Sequence, residues 1–125
     1  MEKHIRRLPD AELTVMQAVW ACEVPATRGE IQQKIPEDHT MALTTLLTLL
    51  TRLADKGFLA VEKQGRGNSY TPLISREDYL SSQSRSFVDR LCGGSMSVLA
   101  SALCSSGLSK EELAQLRQLL EEGDL

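Results

Sequence analysis

Apolar positions recur along the chain in two different rhythms, and the change of rhythm divides it. After Pro9, Leu13, Met16 and Trp20 fall at helical spacing with Val15 and Val19 beside them, predicting a helix over about 9–22. Pro9 suits the first turn, and Asp10 and Glu12 suit the positive end of the helix dipole. Thr27-Arg28-Gly29-Glu30 has the spacing of a capping box and opens a short helix that carries Ile31 and Ile35 and stops before Pro36. A brief strand is expected near Val24–Ala26. Residues 42–56 predict the most informative helix, with Leu43, Leu46, Leu50 and Leu53 in one stripe and Leu49 beside it. Thr44, Thr48, Thr51 and Asp55 oppose that stripe, Thr45 and Arg52 take one shoulder and Leu47 the other, and Gly57 supplies a left-handed C-cap.

The rhythm then becomes two. Phe58 to Gln64 reads as a strand, Gly65-Arg66-Gly67-Asn68 as a turn, and Ser69 to Leu73 as the return strand, with Pro72 marking an exposed edge. From Ser75 the helical period resumes. Ser75-Arg76-Glu77-Asp78 caps a helix lined by Leu80, Phe87, Val88 and Leu91 and stopped by Gly93-Gly94. Ser95 caps a second segment with Met96, Leu99 and Leu103. Ser109-Lys110-Glu111-Glu112 caps a last helix with Leu113, Leu116 and Leu120, ending near Gly123. The expected fold is mainly α with a small β-wing: a winged helix-turn-helix domain over 1–74 and a helical dimerisation domain over 75–125.

This order has a functional implication. A third helix with one face buried and one free can enter the major groove while a hairpin wing lies on the backbone. Threonine is a poor helix former, so four of them at 44, 45, 48 and 51 imply a contact that uses them. Thr side chains can meet base edges or thymine methyls. Arg66 and Lys63 in the wing are candidate phosphate ligands, as are Thr27, Arg28 and the N-terminus of the second helix. Lys3, Arg6 and Arg7 form a possible basic arm. Three amphipathic helices in about fifty residues have too little chain to cover their own apolar faces, so a second copy is expected to cover them. A two-fold dimer would then face an inverted repeat.

Composition adjusts this picture without reversing it. The chain is 125 residues long with a net charge of −3, but residues 1–74 carry nine Lys/Arg against nine Asp/Glu, and residues 75–125 carry five against eight. The acidity therefore sits in the second part, and a local basic strip can still dock on phosphates. A hydrophobic content of 42% with no apolar run long enough for a bilayer, and no signal-like start, predict a cytoplasmic protein that engages no membrane. Cys22, Cys92 and Cys104 form no C-x-x-C, and His4 and His39 lie far from them, so neither a metal nor another cofactor is expected. No phosphate loop or catalytic arrangement suggests an enzyme. Two alternatives stay open: a winged helix used for protein–protein contact, and a ligand-responsive winged-helix regulator of another kind.

The segments LPDAELTVMQAVW, TTLLTLLTRLADKGFL, GRGNSYTPLI and CGGSMSVLASAL together resemble the penicillinase and methicillin-resistance repressors, the BlaI/MecI/CopY family, from about Leu8 to Leu120. The resemblance implies a homodimeric transcriptional repressor bound to inverted repeats of TACA/TGTA type. It places Thr44, Thr45, Leu47, Thr48 and Arg52 in the recognition helix, with Leu47 where the family usually has Lys or Arg. It also implies a regulatory protease as a partner. In the penicillinase branch such a protease cuts an Asn-Phe bond, and the matching position here is Ala102-Leu103. The paired C-x-C motifs of the copper branch are absent.

Overall fold

The structure is a computed structural model that describes residues 5–122; Lys3 of the possible arm, His4 and the expected stop at Gly123 lie outside that range. Its helices are α1 (Asp10–Trp20), α2 (Arg28–Lys34), α3 (Leu43–Asp55), α4 (Arg76–Leu91), α5 (Met96–Ser105) and α6 (Lys110–Glu122). Its strands are β1 (Ala26–Thr27), β2 (Leu59–Gln64) and β3 (Gly67–Pro72), and one 3₁₀ turn covers Glu37–His39. The mainly helical fold with a β-wing is borne out. The chain divides inside α4 into two compact units, Met1–Gln83 and Ser84–Leu125.

In the first unit, α1 contributes Val15, Met16 and Val19 to a core completed by Ile31, Leu46, Leu50, Leu53 and Phe58. The capping box at α2 forms in both directions. The Thr27 hydroxyl accepts from the Glu30 N–H at 3.2 Å, and Glu30 Oε1 accepts from the Thr27 N–H at 2.9 Å. The Thr27 N–H first, and second the Thr27 hydroxyl, which donates to the same Oε1 at 3.1 Å, hold the Glu30 carboxyl below the usual carboxylate range. Thr27→Ala is expected to cost about 1 kcal/mol in urea unfolding. Because the Glu30 pKa is depressed in the fold, its contribution is present above the unfolded value and lost as pH falls through the folded one. The stability gap between wild type and variant should therefore narrow on acidification from neutral pH.

The sheet is three-stranded and antiparallel in the order β1-β3-β2. Its hairpin runs from Leu59↔Pro72 to Gln64↔Gly67, which leaves Gly65-Arg66 as a two-residue loop. Gly65 alone takes a positive φ there, 63°, the pattern of a type II′ turn. The expected hairpin gains a strand, since Ala26 and Thr27 pair with Tyr70 and Ser69. Pro72 consequently sits in the middle strand rather than on an edge strand. It is tolerated because β1 is only two residues long and ends before reaching it.

The sequence division at 74/75 differs from the structural one at 83/84 because of Tyr79. Its hydroxyl accepts the Leu8 N–H at 2.9 Å, and its ring packs 5.7 Å from Trp20 and 5.8 Å from Phe58. Trp20 Nε1 donates to the Ile74 carbonyl at 3.0 Å. The first turns of α4 thus complete the first unit's core, as do Ile5 and Leu8, which local periodicity did not mark.

In the second unit the caps form as expected. Ser95 Oγ accepts from the Val98 N–H, and Ser109 and Glu112 bond reciprocally. Gly93 and Gly94 take positive φ, and the Gly94 N–H returns to the Val88 carbonyl to close α4. Among the described residues no single helix is long and apolar enough to cross a membrane.

Candidate nucleic-acid interface

Helix α3 is held from one side and at one end. Leu46, Leu49, Leu50 and Leu53 are buried. Leu43, expected in that stripe, is instead exposed. A straight helix drifts about 20° per heptad, and this carries Leu50 toward the core and leaves Leu43 at its margin. At the C-terminus the Phe58 N–H bonds the Leu53 carbonyl at 2.9 Å and the Gly57 N–H bonds Ala54 at 3.0 Å, a Schellman motif made possible by Gly57 at φ 84°. The adjoining Lys56 ammonium is paired with Glu12 of α1, whose side chain is 5% exposed. Glu12, expected only to favour the helix dipole, is therefore a tie between α1 and the end of α3.

The remaining face of α3 is uncovered: Thr44, Thr45, Leu47, Thr48, Thr51 and Arg52 are all exposed. The threonines are not equivalent. Thr48 Oγ1 donates to the Thr44 carbonyl at 2.9 Å, and Thr51 Oγ1 donates to the Leu47 carbonyl at 3.0 Å. Each of these two hydroxyls has one proton, and the carbonyl four residues back lies within its reach. Thr44 and Thr45 stand in the first turn, where no helical carbonyl precedes them, and they make no such bond among the described residues.

In the wing, Lys63 and Arg66 are exposed, Arg66 in the loop and Lys63 opposite Asn68. No ion pair among the described residues involves Arg28, Arg52, Lys63 or Arg66, so their charge is available to an anion. Thr27 and Glu30 already cap α2 with a carboxylate, and Arg28 donates to Gln32 at 2.8 Å. The box satisfies the N–H groups of Thr27 and Glu30 from within the chain. Arg6 and Arg7 are exposed.

The sites expected for self-association fall in both units. Leu80, in the first, is exposed. In the second, Phe87, Leu91, Met96 and Leu120 are exposed, while Leu99, Leu103, Leu113 and Leu116 are half-buried. Val88 is 5% exposed in the single chain, one turn before buried Cys92. Val98 and Leu119, which were not singled out from the sequence, are 49% and 68% exposed. The Ala102-Leu103 bond lies inside α5, with Ala102 exposed. Cys104 is exposed, and Cys22 is half-buried with its thiol pushed up chiefly by burial and then by Glu30, Lys34 opposing.

Three helices packed beneath a three-stranded antiparallel wing, with the third helix free on one side, define a winged-helix regulator. The sequence matches the penicillinase repressor family over residues 8–122. The penicillinase repressor of Bacillus licheniformis is 37% identical over 121 residues, 96% of this chain and 94% of that protein. Two solution structures match at 35% identity, each over 63% of this chain and 94% of the other. One is the DNA-binding domain of the repressor BlaI, with a TM-score of 0.52. The other is monomeric Bacillus licheniformis BlaI in complex with the blaP half-operator, with a TM-score of 0.50. The chain belongs to the penicillinase repressor family, a family of transcriptional repressors rather than enzymes.

Proposed function

We propose that this protein represses transcription by binding operator DNA as a two-fold dimer, with α3 in the major groove and the wing on the phosphate backbone. The observation that carries the reading is the uncovered face of α3, beside a wing whose Arg66 and Lys63 enter no ion pair among the described residues. The half-operator complex of the related repressor supports it, since the matched region of that protein binds DNA. In this reading the first unit binds DNA and the second joins two copies. Residues 1–74 carry the DNA contacts and the helices after Ser75 carry the pairing. Among the described residues, Val88 and Cys92 are the buried apolar side chains of the second unit, while Phe87, Leu91, Met96, Val98, Leu119 and Leu120 stay exposed. That is the signature of a surface completed by a partner. Acting on operator DNA places the protein in the cytoplasm. A regulatory protease working at Ala102-Leu103 would first have to unwind the middle of α5.

The test is a mobility shift with duplexes recovered from a random pool, repeated across a salt series. The reading predicts a preferred inverted repeat and an affinity that falls linearly in log salt. Failure to recover any preferred sequence would refute it. Arg66→Ala should weaken binding to specific and random duplexes alike and reduce the salt slope by about one per protomer. A loss confined to the preferred operator would contradict a phosphate-binding role.

A further inference from the structure

Helix α4 runs unbroken across the division between the two units, which falls between Gln83 and Ser84. Its hold on the first unit is narrow. From Arg76 to Gln83 the one buried side chain is Tyr79, 3% exposed, and Gln83, one turn on, lies on the same helix face. Both side chains bond the backbone of one short segment. The Tyr79 hydroxyl accepts the Leu8 N–H at 2.9 Å, and Gln83 Nε2 donates to the Ile5 carbonyl at 3.5 Å. That segment is itself anchored, with Ile5 and Leu8 in the first unit's core and Arg6 and Arg7 exposed. Residues 5–8 thus clasp the first turns of α4, and every member of the clasp belongs to the first unit. Burial against Trp20 and Phe58 needs only the ring of Tyr79. The hydroxyl and the Gln83 amide add direction, because they fix the helix to backbone at two points one turn apart.

Resting on the operator-binding reading above, we propose that Tyr79 and Gln83 are positioning residues for paired half-sites. By holding residues 5–8 they fix the direction in which α4 leaves the winged helix, and so set the half-site separation that a dimer accepts. Neither residue has to touch DNA. The second half-site of a dimer is bound intramolecularly, and its effective concentration is high only where the link brings the second α3 to its groove. One added base pair shifts a half-site by about 3.4 Å and turns it by about 35°. A helix fixed at its start therefore accepts one separation. A helix that pivots on a single ring accepts several, each more weakly. Removing the Tyr79 hydroxyl leaves the buried Leu8 N–H without its partner, which favours lifting of the segment toward water.

The experiment compares the full-chain wild type with Tyr79→Phe and Gln83→Ala on four duplexes. They are a selected inverted repeat, the same repeat with one base pair added or removed between its halves, and a single half-site. Wild type should lose about 10-fold or more on either altered spacing. Each variant should bind the half-site within about two-fold of wild type, lose about 3–10-fold on the original repeat, and lose at most about 3-fold more on the altered spacings. A role confined to folding would instead lower binding to all four duplexes in proportion and keep the wild-type spacing profile, and that result would overturn the proposal. Equal wild-type affinity at the three spacings would overturn it too. Gln83 is half-buried, so its variant carries the test should Tyr79→Phe fail to fold. Hydrogen exchange gives an independent readout: the Leu8 amide should be protected in wild type and lose protection in Tyr79→Phe. An unprotected Leu8 amide in wild type would remove the clasp while leaving operator binding intact. A random pool that yields no preferred duplex would overturn both readings.

Discussion

Leu91→Glu combined with Leu119→Glu is expected to give a folded monomer that binds a full operator about 10²–10³-fold more weakly than wild type, because the second half-site contact ceases to be intramolecular. These side chains are 66% and 68% exposed in the single chain, so the carboxylates displace little intrachain packing. Helical content by circular dichroism should stay close to wild type, and sedimentation should report half the mass. The sign follows from desolvation: a carboxylate forced into an apolar seam between two copies has no partner there. A double variant that remains dimeric at micromolar concentration would place the pairing surface elsewhere.

Leu50→Ala is expected to cost about 2–5 kcal/mol in denaturant unfolding, through lost transfer energy and the cavity left behind α3. Leu50 is wholly buried between Leu46 and Leu53 in the first unit's core. Set against typical domain stabilities of about 5–15 kcal/mol, that loss removes a large share of the margin holding the helix in place. Leu47→Ala changes the same residue type on the same helix but on its uncovered side, and should move stability by less than about 0.5 kcal/mol. The pair separates packing from recognition, since Leu50→Ala acts through the folded fraction and Leu47→Ala through DNA contact. Equal costs for the two would mean that the buried and free sides of α3 have been exchanged.

What was legible in the chain follows the range of the interaction. The capping boxes at Thr27 and Ser109 and the glycine stop at Gly57 are encoded within a few residues, and they form as the spacing implies. The hairpin is legible for the same reason. Tyr79 was not, because its partner Leu8 is 71 residues away and no local period marks either of them. The Glu12–Lys56 tie is hidden likewise, 44 residues apart, behind what reads as an ordinary first-turn carboxylate. At the candidate interface, periodicity correctly left Thr48 and Thr51 outside the core but could not show where their hydroxyl protons go. That depends on rotamers, which a helical pattern does not specify. Leu43 was placed in the core stripe because heptad counting ignores the drift of a straight helix.

The most direct test of the whole account compares the wild-type protein on three duplexes of equal length in fluorescence anisotropy: a selected inverted repeat, one intact half-site, and a scrambled sequence. Two copies each presenting α3 to adjacent turns of the groove predict affinity for the full repeat at least about 10³-fold above the scrambled duplex, with the half-site far weaker than the repeat. Indistinguishable affinities for all three at physiological salt would contradict it.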